Sequence, residues 1–304
     1  MGARERRAIP LVPRHPLAGL PFGALASHRR GPGSEVIGTR AYRPGDPVST
    51  IDWRATARAS AASGRDQFIV RERRAEDAPR VALVLDRRPA MELYPPGLPW
   101  LRKDVAMREV VDILVESAAA ARAAVAELDY ATGAPHWLPP SNKDPRDELE
   151  RRLALPAAAP DDSAERALAE LGTHQAELRS GTFVFVVSDF VVPVPAAAWH
   201  TASAHGWDVV PVVIQDPVWE ASFPDVSGAA LPLAAAGDER FRLVRLGRRE
   251  VARRARDNAE RLRRTLETQR AAGAEPILVE SAEPGSIEAA FLRWADGRMG
   301  GAWR

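Results

Sequence analysis

Four short, unbroken apolar runs, Val81 to Leu85, Phe183 to Val187, Val209 to Ile214 and Ile277 to Val279, constrain this chain more than any other feature. A strand with one face in water alternates apolar and polar side chains, whereas an uninterrupted apolar run belongs to a strand covered on both faces, as in a parallel sheet. Stretches of helical spacing separate the runs. Met107, Val110, Val111, Leu114, Val115 and Ala118 recur on one face of a predicted helix, and Val251, Ala255, Ala259, Leu262 and Leu266 on one face of another. Strands alternating with helices predict an α/β fold built on a doubly wound, mainly parallel sheet.

The chain has 304 residues, 45% of them hydrophobic, enough for one large domain with an added module. Residues 1–33 are rich in Pro, Gly and Arg without periodicity and read as a flexible basic arm, and deleting residues 1–30 is expected to cost little stability. Residues 34–76 read as a β-rich module in which Val36 to Tyr42 and Gln67 to Arg71 flank a turn at Arg43, Pro44, Gly45 and Asp46. Asp52 is placed to cap a helical turn that begins at Trp53. Residues 80–300 carry the α/β pattern. No run of about 18 apolar residues and no secretory apolar core occurs, so the expectation is a cytoplasmic protein without a transmembrane segment.

With no cysteine, disulfides, thiolate catalysis and cysteine-ligated metals are excluded. Net charge is only +1, yet residues 1–80 hold 15 Arg against 8 Asp and Glu. Such an arm could touch nucleic acid, although few aromatics accompany the arginines. The Arg-rich helix predicted over 248–270 is a different case. There Glu250 and Arg254, Asp257 and Arg261, and Glu260 and Arg264 stand at i, i+4, the spacing of mutual surface pairs.

Three buried runs end in an acid: Asp86 after the first, Asp189 after the second and Asp216 after the third. In an open parallel sheet ligands bind beyond the carboxyl ends of the strands, so these acids are expected to converge on one crevice. Such an oxygen-rich site could hold Mg²⁺, and a metal-dependent hydrolase using Asp86, Asp189 and Asp216 is one reading of it. Other chemistry finds little support. The six histidines show no paired metal spacing, and neither a phosphate-binding glycine loop nor a nucleophile elbow is present, so Ser188 reads as a strand end.

The most specific pattern runs through GSEVIGTRAYRPGDPVSTIDWRATAR, then VRERR and VALVLD, with QDPVWEASFPDVSGAALPL further on. It resembles the bacterial family called domain of unknown function 58 from about Gly33 to Asp296. The resemblance implies a von Willebrand factor A-like domain, whose metal site combines a DxSxS motif after the first strand, a Thr on a later loop and an Asp after a further strand. Here Asp86 fits the first aspartate, Arg88 and Ala90 stand at the serine positions, Ser163 resembles the threonine and Asp189 fits the last acid. That is a degenerate metal site, in which Arg87 or Arg88 is expected to take the metal's electrostatic place between Asp86 and Asp189. No cofactor is expected.

Members of that family are typically encoded beside an AAA+ ATPase of the MoxR type. The resemblance therefore implies a non-enzymatic adaptor that works with such an ATPase on a client protein. Tyr42, Arg43, Asp46, Asp52, Trp53 and Arg58 are the candidate contact residues. Their alternative role is internal, with Trp53 in a core and Asp52 capping a helix.

Overall fold

The computed structural model describes residues 8–14, 36–42, 51–65, 68–73, 79–93, 98–233 and 242–301. The chain divides into two compact units, residues 15–78 and residues 79–304 together with 1–14. Arg43 and Asp46 lie outside the described residues.

In the smaller unit, β1 (Val36–Ala41) pairs antiparallel with β2 (Ile69–Arg73), and α1 (Trp53–Ser63) lies between them in sequence. Asp52 starts α1 by accepting from the backbone N–H groups of Arg54 (3.1 Å) and Ala55 (3.0 Å), which would otherwise lack partners. Gly64 ends it in the left-handed conformation, φ 65°, which costs a residue without Cβ little. The Thr56 hydroxyl accepts from the N–H of Ile69 at 3.0 Å and ties the helix to β2.

The larger unit runs β3 (Arg80–Leu85), α2 (Lys103–Ala120), β4 (Ala124–Asp129), β5 (His136–Ser141), α3 (Arg146–Leu153), α4 (Ser163–Leu171), β6 (Phe183–Ser188), α5 (Ala196–Ala204) and β7 (Asp208–Ile214). It continues through β8 (Ala230–Leu233), β9 (Arg242–Arg245), α6 (Arg248–Ala271), β10 (Ile277–Val279) and α7 (Pro284–Gly301). A six-stranded sheet has the order β10-β7-β6-β3-β4-β5, parallel except for the edge strand β5, and β8 and β9 form a separate hairpin. This is a mixed α/β fold with a mainly parallel central sheet.

The apolar runs are apolar because both faces of the sheet are covered. Ala82 and Val84 of β3, with Val184 and Val186 of β6, pack on Leu168 and Leu171 of α4 and Trp199 of α5. On the opposite face Phe185 meets Phe291 and Trp294 of α7, with ring centroids 6.5 and 6.0 Å apart. Strand order reverses between β3 and β6, and Asp86 and Asp189 stand just beyond these two neighbouring strands.

Two expectations need correction. Residues 8–14, read as part of a flexible arm, are docked on the larger unit: Ile9 and Val12 are buried, and the N–H of Ile9 donates to the Ser117 hydroxyl at 2.9 Å. Arg298 of α7 donates to the Val12 carbonyl (2.8 Å) and to Asp208 (2.6 Å), and Asp208 also accepts from the N–H of Arg14 (2.9 Å). Ile9 and Val12 fall in a short stretch broken by two prolines, AIPLVPR, which is too short to give a periodic signal, so their burial was not visible. On α6, Ala259 is exposed while Thr265 and Gln269 are buried. The inward stripe therefore includes polar residues that an apolar pattern cannot find. The pairs Glu250 with Arg254 (3.0 Å) and Glu260 with Arg264 (2.6 Å) form as spaced, whereas Arg261 turns to Asn258 Oδ1 (2.7 Å) and the Glu220 carbonyl (2.5 Å).

Candidate functional site

The crevice beyond β3 and β6 is built from the residue that follows each strand. Asp86 leaves β3 and immediately turns: the N–H of Arg88 donates to its Oδ1 at 3.0 Å, which folds the chain back over the carboxylate. Arg88 then wraps its own guanidinium around the same group, Nε at 3.0 and 2.9 Å from the two oxygens and Nη2 at 2.6 Å from Oδ2. Nη2 also donates to Oδ1 of Asp189. Arg88 thus stands between the two aspartates, and its planar fork suits two carboxylates at once.

Neighbouring hydroxyls complete Asp86. Ser188, the last residue of β6, donates to Oδ2 at 2.6 Å, and Ser163, the first residue of α4, to Oδ1 at 3.3 Å. Asp162, which precedes α4, makes no capping hydrogen bond and pairs with Arg166 at 2.7 Å. Arg87 points elsewhere, donating to the carbonyls of Arg152 (2.7 Å) and Leu155 (2.5 Å). Ala90 sits half-buried in the short turn Pro89–Glu92 and brings no polar group.

Asp189 is fully buried at 0% exposure, and a second cation meets it there. Lys103, at the start of α2, donates to Asp189 Oδ2 (2.7 Å) and to Glu220 Oε1 (2.5 Å). The N–H of Val191 donates to Oδ1 at 2.9 Å, a geometry reached because Phe190 adopts a left-handed φ of 49°. A bulky side chain in that region costs on the order of 1–3 kcal/mol, here offset by packing on Trp199 at 5.6 Å.

The electrostatics follow from burial. Burial alone would raise the Asp189 carboxyl, but the charges of Lys103 and Arg88 outweigh it and hold the group below the usual range. Burial alone would lower the Lys103 ammonium, but Asp189 and Glu220 outweigh it and raise it. Arg88 is raised in the same way by Asp86 and Asp189. Glu220, closer to solvent, goes up: burial dominates, Asp189 adds to it and Lys103 only partly opposes.

Asp216 does not join this network through its carboxylate. Its Oδ1 accepts from the N–H groups of Val218 (2.7 Å) and Trp219 (3.1 Å), so it caps its own loop, while its N–H donates to Glu220 Oε2 at 3.1 Å. The expected convergence of three strand-end acids is therefore two acids plus Glu220. Lys103 and Glu220 were missed as site residues. One signal did exist: Lys103 is one of only two lysines in an Arg-rich chain, at Lys103 and Lys143.

The residues present do not fit a divalent metal held by Asp86 and Asp189. The oxygens that would face the ion already accept from Arg88 and Lys103, and two fixed cations oppose a third. Hydrolysis through a metal pair would meet the same obstacle, since such sites need carboxylates free to bridge ions about 4 Å apart.

In the smaller unit, Tyr42 is half-buried, Asp52 caps α1, and Trp53 and Arg58 are exposed. The internal role expected for Trp53 is not what is found, because it is 61% exposed. It meets Phe68, itself 44% exposed, edge to face at 6.4 Å, and Phe68 meets Tyr42 at 6.4 Å. Phe68 was not among the expected contact residues; a lone aromatic before a strand gives no sign of which way it faces.

Among known proteins, the sequence matches the family described as "Protein of unknown function DUF58" over residues 38–265. A comparison with curated proteins finds no match. Among solved structures, a conserved hypothetical protein BatB of Bacteroides thetaiotaomicron is 13% identical, covering 72% of this chain and 99% of its own at a TM-score of 0.39. An aerotolerance-related membrane protein of Bacteroides fragilis, carrying multiple mutations to serine, is 14% identical over 72% and 99% of the two chains at a TM-score of 0.38. The D319A mutant of the minor pilin PilB of Streptococcus sanguinis is 10% identical over 76% and 64%, TM-score 0.35. Among the described residues no helix is long and apolar enough to cross a membrane.

Proposed function

We propose, from the premise that this chain belongs to the DUF58 family, that it is a non-enzymatic binding protein acting as an adaptor for a MoxR-type AAA+ ATPase. One observation carries the reading: Trp53, Phe68 and Tyr42 form an aromatic group, with Trp53 61% exposed and Arg54 and Arg58 exposed beside it on α1. Solvent-exposed Trp and Arg together are the residue types that dominate binding energy at protein interfaces. Tyr42 and Trp53 lie in the segment that includes RPGD and IDWRATAR, the part of the sequence that most resembles the family.

The larger unit is read as a von Willebrand factor A-like domain with a degenerate metal site. Asp86, Ser163 and Asp189 meet at one sheet edge, as that resemblance implies, and Arg88 replaces the ion. A domain whose cation is built into the chain keeps its crevice in one charge state whatever the metal supply. This suits a constitutive binding surface better than a metal-triggered one. A nucleic-acid reading gains no support from α6, where Arg253, Arg254, Arg263 and Arg264 pair with Glu250 and Glu260.

The test is affinity capture with the full chain as bait from the native cell. The reading expects a MoxR-type ATPase, retained by wild type and lost by Trp53→Ala. An ATPase captured equally by both would move the contact elsewhere, and its absence from both would remove the partner.

A further inference from the structure

Strand β4 holds a group that the crevice does not use. Its sequence, AVAELD, is buried throughout, and Glu127 in its interior is 0% exposed. Glu127 and Asp129 are two residues apart and share a face of the sheet. His136 of β5 lies directly opposite Asp129 in the antiparallel register. Oxygen and nitrogen atoms of these three side chains all lie within 4.8 Å of one another.

Glu127 stands out because the groups that meet its carboxylate are Asp129 and His136, the other two members of the cluster. Neither of its oxygens has a hydrogen-bond partner among the described residues, nor does His136 Nδ1, which stands 3.5 Å from Glu127 Oε2. A buried carboxylate without a donor is strongly disfavoured unless it takes a proton or a cation.

We propose that Glu127, Asp129 and His136 form a binding site for a divalent transition-metal ion of the Zn²⁺ class. Carboxylate oxygens alone would suit Mg²⁺, but the imidazole nitrogen makes a mixed N/O set of the kind Zn²⁺ takes. Zn–O and Zn–N bonds of about 2.0–2.2 Å put tetrahedral ligand atoms ~3.4 Å apart, so the cluster closes on an ion by small side-chain rotations. Three protein ligands leave a fourth position for water on the side of the half-buried His136.

Arg152 supplies the outer contact such a site needs. Its Nε donates to Asp129 Oδ2 at 2.9 Å and its Nη2 to Oδ1, while the N–H of Ala131 donates to Oδ1 at 2.8 Å. Ligating carboxylates are commonly held by such hydrogen bonds, and Oδ2 keeps a lone pair for the ion. Asp129 is thereby aimed and partly neutralised, while Glu127, which feels Arg152 and Arg87 only at a distance, has no cationic hydrogen-bond donor on its oxygens among the described residues. The neighbouring Arg87 is committed to backbone carbonyls.

The experiment is isothermal titration of the metal-stripped full chain with Zn²⁺, with Mg²⁺ as a separate arm, read beside the melting temperature. We expect one Zn²⁺ per chain, a rise in melting temperature, and no response to Mg²⁺. Glu127→Gln and His136→Ala should each weaken Zn²⁺ at least tenfold, while His200→Ala, on an exposed helix face, should not. Should the Gln variant fail to fold, the half-exposed His136→Ala decides alone. No Zn²⁺ binding, or binding that both site variants leave unchanged, overturns the proposal and leaves Glu127 as a buried protonated acid.

Discussion

Replacing Arg88 with alanine removes the cation that faces both Asp86 and Asp189, and the structure sets how much that should cost. Arg88 is buried, gives Asp86 three side-chain contacts of 2.6 to 3.0 Å, and reaches Asp189 with Nη2. Losing one member of a buried ion pair costs about 3–5 kcal/mol, because the remaining charge stays desolvated. Ser188 and Ser163 still donate to Asp86 and Lys103 to Asp189, which puts the expected loss near the lower end, about 3 kcal/mol. For a unit of this size that is ~6–12 °C of melting temperature. Calorimetry measures it directly. Arg88→Lys should fall between, since it keeps a charge but not the planar fork. Arg88→Ala melting within about 1 °C of wild type would show that Arg88 does not hold the crevice together, and the account of a built-in cation would fail.

Other perturbations read other parts of the structure. Millimolar Mg²⁺ should leave the wild-type melting temperature unchanged, whereas a bound ligand at 100 times its dissociation constant would add about 2.7 kcal/mol; a clear magnesium-dependent rise contradicts the occupancy of Asp86 and Asp189 by Arg88. The lowered Asp189 carboxyl contributes stability that is present above its unfolded value of about 3.9 and lost as pH falls through its folded value. The raised Lys103 ammonium contributes stability present below about 10.4 and lost as pH rises through its folded value. Denaturant titrations across pH should therefore show Asp189→Asn flattening the acid limb and Lys103→Met the alkaline one; unchanged limbs would mean the pairing is energetically silent. Deleting residues 1–14 exposes the sites of Ile9 and Val12, each worth about 1.5–3 kcal/mol of burial, and a melting curve identical to wild type would refute the docking of this segment. Asp52→Ala should lower stability by about 0.5–2 kcal/mol through the lost cap of α1, and a neutral result would leave Asp52 to a role outside the fold.

The parallel strands were legible because double burial writes itself as continuous apolar sequence. All four runs lie in the six-stranded sheet, as β3, β6, β7 and β10. Strand β4 escaped notice for the reason that makes it interesting: Glu127 interrupts the run, and no single sequence shows that a carboxylate at that position is buried. Strand β5, HWLPPS, carries two prolines that read against a strand, which an edge position tolerates. At the crevice, Asp86 and Asp189 could be placed from strand ends, and Arg88 and Ser163 only through the family resemblance. Asp216 was misplaced because an acid at a strand end can as readily cap the loop that follows. Lys103 and Glu220 join the site through the start of α2 and the loop after β7, a meeting of segments that only the tertiary structure brings about.

The adaptor reading stands or falls on one comparison, binding of a purified MoxR-type ATPase to wild type and to Trp53→Ala, with the melting curve of each recorded alongside. An exposed side chain at a contact should cost more than 2 kcal/mol of affinity, a loss of about thirtyfold or more, while stability changes by about 0.5 kcal/mol or less. Equal affinity in the two proteins, or a Trp53→Ala variant that loses about 3–5 kcal/mol of stability as a core tryptophan would, contradicts it.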